Sequence, residues 1–218
     1  MKRIVFLALV AAAVAAPSAQ ATNECRGLMV CVPVAGPWVL TPSLSHVEYD
    51  LSCPKGYVVA GLDADVTSRG IDIGFVGALG SPVNPGITTQ RDAVFLGRVV
   101  RGSPVGATFR PHIGCVPAQG GGGRTPTAHD ALAPGEPVDR RVVQVPAAHN
   151  RSLRARCPRG ERLSDATYAV GFYGAGPPTV AAARSVHVVQ TIKHGTVNLA
   201  IRSHADAVVQ LDLLCVAA

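Results

Sequence analysis

Residues 47–56 read VEYDLSCPKG and residues 151–160 read RSLRARCPRG. In both stretches polar and apolar residues alternate up to a cysteine, and a Pro-x-Gly sequence follows it. Alternation with a period of two predicts a half-buried β-strand, and proline and glycine favour a tight turn directly after it. The two stretches therefore predict that one strand-and-turn element occurs twice, 104 positions apart.

The similarity between the two parts of the chain extends beyond these stretches. The same offset of 104 relates Val39 to Val143 and Pro42 to Pro146. Further along, GFVGA at 74–78 matches GFYGA at 171–175, and CVPA at 115–118 matches CVAA at 215–218. Recurrence of this kind indicates an internal repeat. We therefore expect an all-β protein of two tandem modules from an internal duplication, each disulfide-stapled and sandwich-like or barrel-like.

Further strands follow from short apolar or alternating segments separated by glycine and proline, a pattern typical of a β-sandwich or barrel. They are expected at 57–66, 71–79, 93–100 and 107–116, and again at 141–145, 163–173, 185–192, 196–202 and 207–216. The alanine-rich stretch 180–190 leaves open a helical start to its strand.

The N-terminus has the pattern of a secretory signal peptide. Lys2 and Arg3 precede an apolar run at 4–16, and Ala19 and Ala21 occupy the two positions that a signal peptidase reads. A membrane-spanning helix needs roughly 20 apolar residues, more than this run supplies. We expect export with cleavage near Ala21, a secreted or extracytoplasmic location, and no membrane span.

The remaining sequence divides at composition changes. We expect an N-terminal segment with a local disulfide at 22–36, a first β module at 37–117, a Gly/Pro-rich linker at 118–136 and a second β module at 137–218, after a signal peptide at 1–21. The glycine run at 120–123 indicates a flexible connection. A phosphate-binding loop would need a lysine followed by serine or threonine after such glycines, and the sequence here has no such lysine.

Six cysteines are present in the chain: Cys25, Cys31, Cys53, Cys115, Cys157 and Cys215. An even number in an exported chain indicates disulfides, although six cysteines allow fifteen pairings. The repeat selects Cys53 with Cys115 and Cys157 with Cys215. Cys25 and Cys31 are then left as a local pair, and the alternative that they pair into the first module remains open.

The basic residues are unevenly distributed. Residues 22–117 hold seven basic and seven acidic side chains, whereas residues 137–218 hold ten and five. The densest group consists of arginines: Arg140, Arg141, Arg151, Arg154, Arg156, Arg159 and Arg162. A basic surface of this kind can bind an anionic cell-envelope polymer or a protein partner, or it can be an ordinary solvated face. Nucleic acid is not expected, because no aromatic residues are interleaved to stack on bases.

The sequence contains no catalytic or metal-binding pattern that we can assign. Its seven histidines have no recognised metal-ligand spacing, and a G-x-S-x-G nucleophile motif does not occur. Asp63 and Asp65 share one face of a predicted strand, which we interpret as a solvated face rather than a calcium site. We therefore expect no cofactor and name no catalytic residue.

The leading functional hypothesis is a secreted, non-enzymatic, β-rich protein that binds a partner or associates with the cell envelope. The alternative is an exported inhibitor or ligand-binding protein, and a third reading is a hydrolase with an unfamiliar site. Rigid exposed loops would favour an inhibitor, whereas a concave polar pocket would favour an enzyme.

Overall fold

The computed structural model describes residues 23–28, 30–42, 46–76, 78–79, 91–100, 106–118, 129–130, 139–147 and 150–218. Within these ranges the chain is all-β with one short helix, α1 (Val180–Arg184). The strands up to residue 118, which we call the first half, are β1 (Val32–Ala35), β2 (Trp38–Leu40), β3 (His46–Ser52), β4 (Tyr57–Val66), β5 (Ile71–Val76), β6 (Ala78–Leu79), β7 (Asp92–Val99) and β8 (Thr108–Pro117).

Strand β9 (His129–Asp130) lies inside the predicted linker and pairs with β6. Residues 139–218, which we call the second half, form β10 (Asp139–Ala147), β11 (Arg151–Arg156), β12 (Glu161–Phe172), β13 (Val186–Lys193), β14 (Thr196–Ser203) and β15 (Ala207–Ala217). The strands that the alternation predicted agree with these bounds to within a few residues. The helical start at Val180 is also confirmed.

Apart from the two-stranded β6-β9 pair, the described strands form one large central sheet and two three-stranded sheets. Strand order in the central sheet is β4-β8-β2-β12-β15-β10, and β1 pairs with β8 beyond the end of β2. The smaller sheets have the orders β3-β7-β5 and β11-β14-β13. All pairings between these strands are antiparallel.

Two hydrophobic cores lie on opposite faces of the central sheet. In the first core, Phe109 and Ile113 of β8 pack with Tyr49 and Phe95 of the β3-β7-β5 sheet. The second core joins residues of β12 and β15 to the β11-β14-β13 sheet. Neighbouring residues of β12 divide between them, since Ala169 belongs to the first core and Val170 to the second. This follows from the period-two geometry of a strand, in which successive side chains point to opposite faces.

Strand pairing follows the same order in the two halves. The last strand of each half, β8 or β15, pairs with the strand that follows the Cys-Pro-x-Gly turn, β4 or β12. That pairing has a register shift after Val59 in the first half and after Leu163 in the second, 104 positions later. The turns agree as well, because Gly56 and Gly160 have φ values of 87° and 91°, a region in which glycine is favoured.

The expected disulfides are confirmed. Cys53 is bonded to Cys115 and Cys157 to Cys215, each across 5.7 Å between Cα atoms, and Cys25 is bonded to Cys31. Three disulfides are typical of a protein in an oxidising, extracytoplasmic environment. The predicted signal peptide and cleavage site fall outside the described residues.

A short strand joins the halves in a way that the sequence did not predict. Val39 of β2 lies opposite Phe109 on one side and Gly171 on the other, so the hydrogen-bonded sheet runs from β8 through β2 into β12. The close approach of β2 to β12 requires glycine at position 171. A Cβ atom there would lie 2.5 Å from Cγ of Pro37, which is too close for an unstrained contact. The bounds of the modules and of the linker remain predictions.

Candidate functional site

The outer surface of the β11-β14-β13 sheet carries two of the arginines predicted to face a partner, together with further basic residues. Val197, Leu199 and Ile201 of the middle strand β14 are buried against the second core. The residues that alternate with them therefore point outward. On the edge strand β11, Arg154 and Arg156 are exposed and occupy these outward positions. We call this outward surface, with the side chains of β11, β13 and β14 that occupy it, the basic face.

Strand pairing sets the spacing of positive charge on the basic face. Arg156 lies opposite Thr196 on β14, and Lys193 of β13 lies opposite the same threonine from the other side. The two cations thus belong to one row across three strands, with backbones about 10 Å apart. Arg154 is two residues from Arg156 along β11, about 7 Å away. Arg202 of β14, opposite His187, extends the basic face towards the far end of the sheet.

Acidic residues are absent from these three strands, whose sequences are RSLRAR, VHVVQTIK and TVNLAIRS. The corresponding strands of the first half, β3, β5 and β7, contain Glu48, Asp50, Asp72 and Asp92. The excess of positive charge is therefore specific to one sheet and does not follow from the composition of the chain as a whole.

One end of the basic face forms a depression of about 760 Å³ between two turns. Arg156, Arg159 and Arg162 line it from the Cys-Pro-x-Gly side, and His194 lines it from the β13–β14 hairpin. Residues 194 and 195 both have positive φ, 50° and 68°, as a two-residue type I′ turn requires. Neither Arg159 nor Arg162 forms a salt bridge with another described residue, so both guanidinium groups can bind an anion.

The remaining predicted arginines are distributed differently. Arg151 is exposed at the start of β11, at the opposite end of that strand from the depression. Arg140 and Arg141 belong to β10 in the central sheet, and not to the β11-β14-β13 sheet. Their side chains lie outside the described residues. Of the predicted arginines, the structure thus brings Arg154 and Arg156 together with Arg159 and Arg162 on the second half.

A second polar group lies under the N-terminal segment and is engaged in holding strands together. Nε2 of His112 is 3.1 Å from Oδ2 of Asp65, and the histidine is buried. The neighbouring carboxylate of Asp63 accepts a hydrogen bond from the backbone N–H of Asn23 at 2.7 Å. Both aspartates are half-buried and partnered, so they are less solvated than the alternation predicted.

The packing of the N-terminal segment explains why this polar group is enclosed. The backbone of Glu24 lies directly on Gly61 of β4 and Gly114 of β8, where added Cβ atoms would be 1.7 Å and 2.2 Å from its carbonyl oxygen. Cys25 and Cys31 close the loop that follows, and Sγ of Cys31 also contacts Gly114. We interpret this region as structural.

The other histidines do not gather into a site within the described part of the chain. Nε2 of His46 is 3.7 Å from Oε1 of Glu48, while His187, His194 and His204 are exposed. His149 and the side chain of His129 lie outside the described residues. Cys157, Glu161 and Cys215 have metal-ligand atoms close together, but both cysteines are consumed by one disulfide, so this group does not fit a metal.

A separate cavity of about 640 Å³ lies between the halves. It is bounded by the end of β2 and the start of β3 on one side, and by β12, α1 and β13 on the other. Its lining is mainly aliphatic, for example Leu40, Val170 and Val188. Because it is formed where two parts of the chain meet, no local sequence pattern marked it in advance.

No protein-family model, curated protein or solved structure shows significant similarity to this chain. Among the described residues, no helix has the length and apolar character needed to cross a membrane.

Sequence reasoning missed two cations of the basic face and the histidine beside its depression. Lys193, Arg202 and His194 are far from the arginine cluster in sequence, and only the pairing of β13 and β14 with β11 brings them to it. The alternation in TVNLAIRS did carry a signal, because it predicts that Arg202 points away from the core. It did not indicate which strands would be its neighbours.

Proposed function

We propose that this protein is an exported, non-enzymatic binding protein whose basic face binds an anionic polymer of the cell envelope. The observation that carries the proposal is the alignment of Arg154, Arg156, Lys193 and Arg202 on one sheet surface whose strands contain no carboxylate. Surfaces with one sign of charge raise the local concentration of oppositely charged partners and speed their association.

A polymer fits this surface better than a globular protein does. Protein interfaces depend on a few buried anchors, most often Trp, Tyr or Arg, and the three strands supply arginines but no aromatic residue. Instead, Thr191, Thr196 and Asn198 lie among Arg154, Arg156 and Lys193, and Ala200 and the exposed Val189 lie between these cations and Arg202. Several positive charges spread over one sheet surface match a chain that repeats a phosphate or carboxylate group. The depression near Arg159 is lined by three arginines and one acid, Glu161, so its excess of positive charge suits one such group.

Export and duplication are part of the same proposal. Export is supported by the three disulfides and by the signal-peptide pattern at 1–21. Duplication is supported by the matching order of strand pairing, the register shift 104 positions apart and the closing bonds from Ala118 N–H to Gly56 and from Ala218 N–H to Gly160, 2.8 Å and 3.1 Å long. On this view the second copy acquired the arginines, while the first kept acids at comparable strands.

Binding to soluble polyanions tests the proposed function. Fluorescently labelled inorganic polyphosphate and poly-glutamate are titrated with the mature protein at increasing salt. We expect saturable binding that weakens as salt rises, because screening shortens the range of charge interactions from about 30 Å at 0.01 M to about 8 Å at 0.15 M. A variant with Arg154→Gln, Lys193→Gln and Arg202→Gln should bind at least tenfold more weakly, with a smaller salt dependence.

The matched control removes exposed positive charge elsewhere. Arg26→Gln combined with Lys55→Gln and Arg69→Gln changes three exposed basic residues of the first half and should leave polyanion affinity within about twofold. Failure of the wild-type protein to bind either polymer at low salt would contradict the proposal and favour a protein partner. Equal losses in the two variants would mean that net charge, and not the basic face, determines binding.

A further inference from the structure

The cavity between the halves is built like a small-molecule site. Its volume of about 640 Å³ falls within the range of roughly 300 to 1,000 Å³ that is usual for ligand pockets. The cavity lies beside β12. This strand pairs with β2 only at Gly171 and Phe172, and on that side residues 165–170 have no strand partner among the described residues. The central sheet is thus split here, and the split is lined by side chains from both halves.

Two threonine hydroxyl groups lie behind the cavity wall and lack partners. The Oγ1 atoms of Thr41 and Thr167 are enclosed by protein and form no hydrogen bond with the described residues. Because neither atom is open to the cavity, a ligand there does not reach them, and its polar contacts come from the groups at the rim.

The charged groups at the rim indicate which kind of polar head suits the cavity. Arg184, at the last position of α1, lines the cavity, is exposed, and forms no salt bridge with another described residue. His46 lies on the opposite side and is the other potentially cationic group. One acid, Asp165, is also present, but its Oδ1 already accepts the N–H of Ala166 at 2.8 Å. The planar guanidinium of arginine binds carboxylates through two parallel hydrogen bonds.

We propose that the cavity between the halves binds an aliphatic monocarboxylate, with its alkyl chain along the valine and leucine lining and its carboxylate at Arg184. The side chains that line the cavity indicate the chemical nature of the apolar part of the ligand. Most of the contacting side chains are branched aliphatic or alanine, and Tyr168 is the one aromatic among the described lining residues. Such a surface favours a flexible alkyl chain over an aromatic ring that would stack. This inference does not depend on the basic face, which lies on other residues.

Three ligands of equal chain length separate the contribution of the head group to binding from that of the alkyl chain. Decanoate, decanol and decylamine are titrated against the mature protein by displacement of an environment-sensitive dye and by calorimetry. We expect one saturable decanoate site per chain, weaker binding of decanol, and the weakest binding of decylamine. Arg184→Gln should weaken decanoate at least tenfold and leave decanol within twofold, because only the carboxylate uses the guanidinium.

A second variant tests the place of binding independently of charge. Ala183→Phe puts a ring into the cavity from half-buried α1 and should abolish binding of decanoate and decanol, with folding checked by circular dichroism. Arg154→Gln on the basic face is the control and should bind decanoate as the wild type does. Absence of saturable decanoate binding would overturn the inference, as would full binding by folded Ala183→Phe. Tighter binding of decylamine would overturn the carboxylate assignment and give the head-group role to Asp165.

Discussion

The side chain of Gln210 hydrogen-bonds both backbone polar groups of Asp50. Its Oε1 accepts the N–H of Asp50 at 2.6 Å, and its Nε2 donates to the carbonyl at 2.9 Å. Among the described residues β3 pairs with β7 alone, so β3 is an edge strand, and edge strands carry unpaired backbone groups. One amide side chain from β15 thus supplies the partner that a further strand would supply, and it does so between residues 160 positions apart.

Replacement of Gln210 by leucine is expected to destabilise the protein. The side chain is 3% exposed, so water cannot easily replace the two bonds, and unpaired buried polar groups cost about 1–3 kcal/mol. Chemical denaturation in urea measures the free energy of unfolding. Gln190→Leu is the control, because the half-buried Gln190 bonds a single carbonyl, that of Ala166, at 2.8 Å within the second half. A loss for Gln210→Leu no larger than that for the control would contradict this account.

Alanine at Gly61 is expected to displace the N-terminal segment. The added Cβ atom would lie 1.7 Å from the carbonyl oxygen of Glu24, a distance that only a backbone movement can relieve. We expect a lower unfolding temperature and faster tryptic cleavage after Arg26, an exposed residue of the same segment. Gly74→Ala is the matched strand control, since its Cβ would contact Leu96 at an ordinary 3.6 Å. If both variants behave like the wild type, the segment is not held as described.

Stability at alkaline pH is expected to depend on Tyr49. Burial, assisted by Tyr173 and Asp50, raises the pKa of the Tyr49 phenol far above its usual value of about 10. In the unfolded chain the phenol ionises near pH 10, whereas the folded protein retains the proton. The folded state then binds more protons, so stability is complete below pH 10 and falls as the pH rises above it, by up to about 1.4 kcal/mol per pH unit.

The Tyr49→Phe variant separates this effect from other alkaline titrations. It should flatten the loss of unfolding free energy between pH 10 and 11, measured by urea denaturation at each pH. At pH 7 it should cost about 1 kcal/mol, because the hydroxyl donates a hydrogen bond to Oε1 of Gln144 at 3.3 Å. Tyr57→Phe is the control and should keep the alkaline slope of the wild type. An unchanged slope for Tyr49→Phe would show that other groups cause the loss.

The strands and disulfides could be predicted from the sequence because their signals are local or repeated. Alternation in VEYDLS reports which residues face a core without any knowledge of neighbours. Cys53 and Cys157 each precede the same turn, so the repeat itself selected two of the three bonds. Both signals survive in a single sequence because they depend on spacing along the chain.

The joining of the halves could not be predicted, for physical reasons. Strand β2 has three residues, Trp38–Leu40, too few to show a period, and its place between β8 and β12 depends on contacts across the chain. The sequence does not distinguish Gln210 from other polar strand residues, because its role depends on the position of β3. The cavity and the row that joins Arg156 to Lys193 are likewise products of long-range pairing.

Limited proteolysis tests whether the halves remain associated without a continuous chain. The predicted linker at 118–136 contains Arg124 within a Gly-rich sequence, and loops of this composition are preferred sites of nicking. Brief trypsin treatment should cut there first. The nicked protein should still elute as one species on gel filtration, because the β2–β12 pairing and the Gln210–Asp50 bonds connect the halves.

Denaturing gels of the same sample then test the disulfide pairing. Each disulfide joins cysteines within one half, so non-reducing denaturation should separate the nicked protein into two fragments. A single band would reveal a bond across the linker and contradict the pairing. Elution of two separate fragments before denaturation would mean that the halves behave as independent modules. In nicked Gln210→Leu the fragments should separate at lower urea than in the nicked wild type, since the shared sheet alone then connects them.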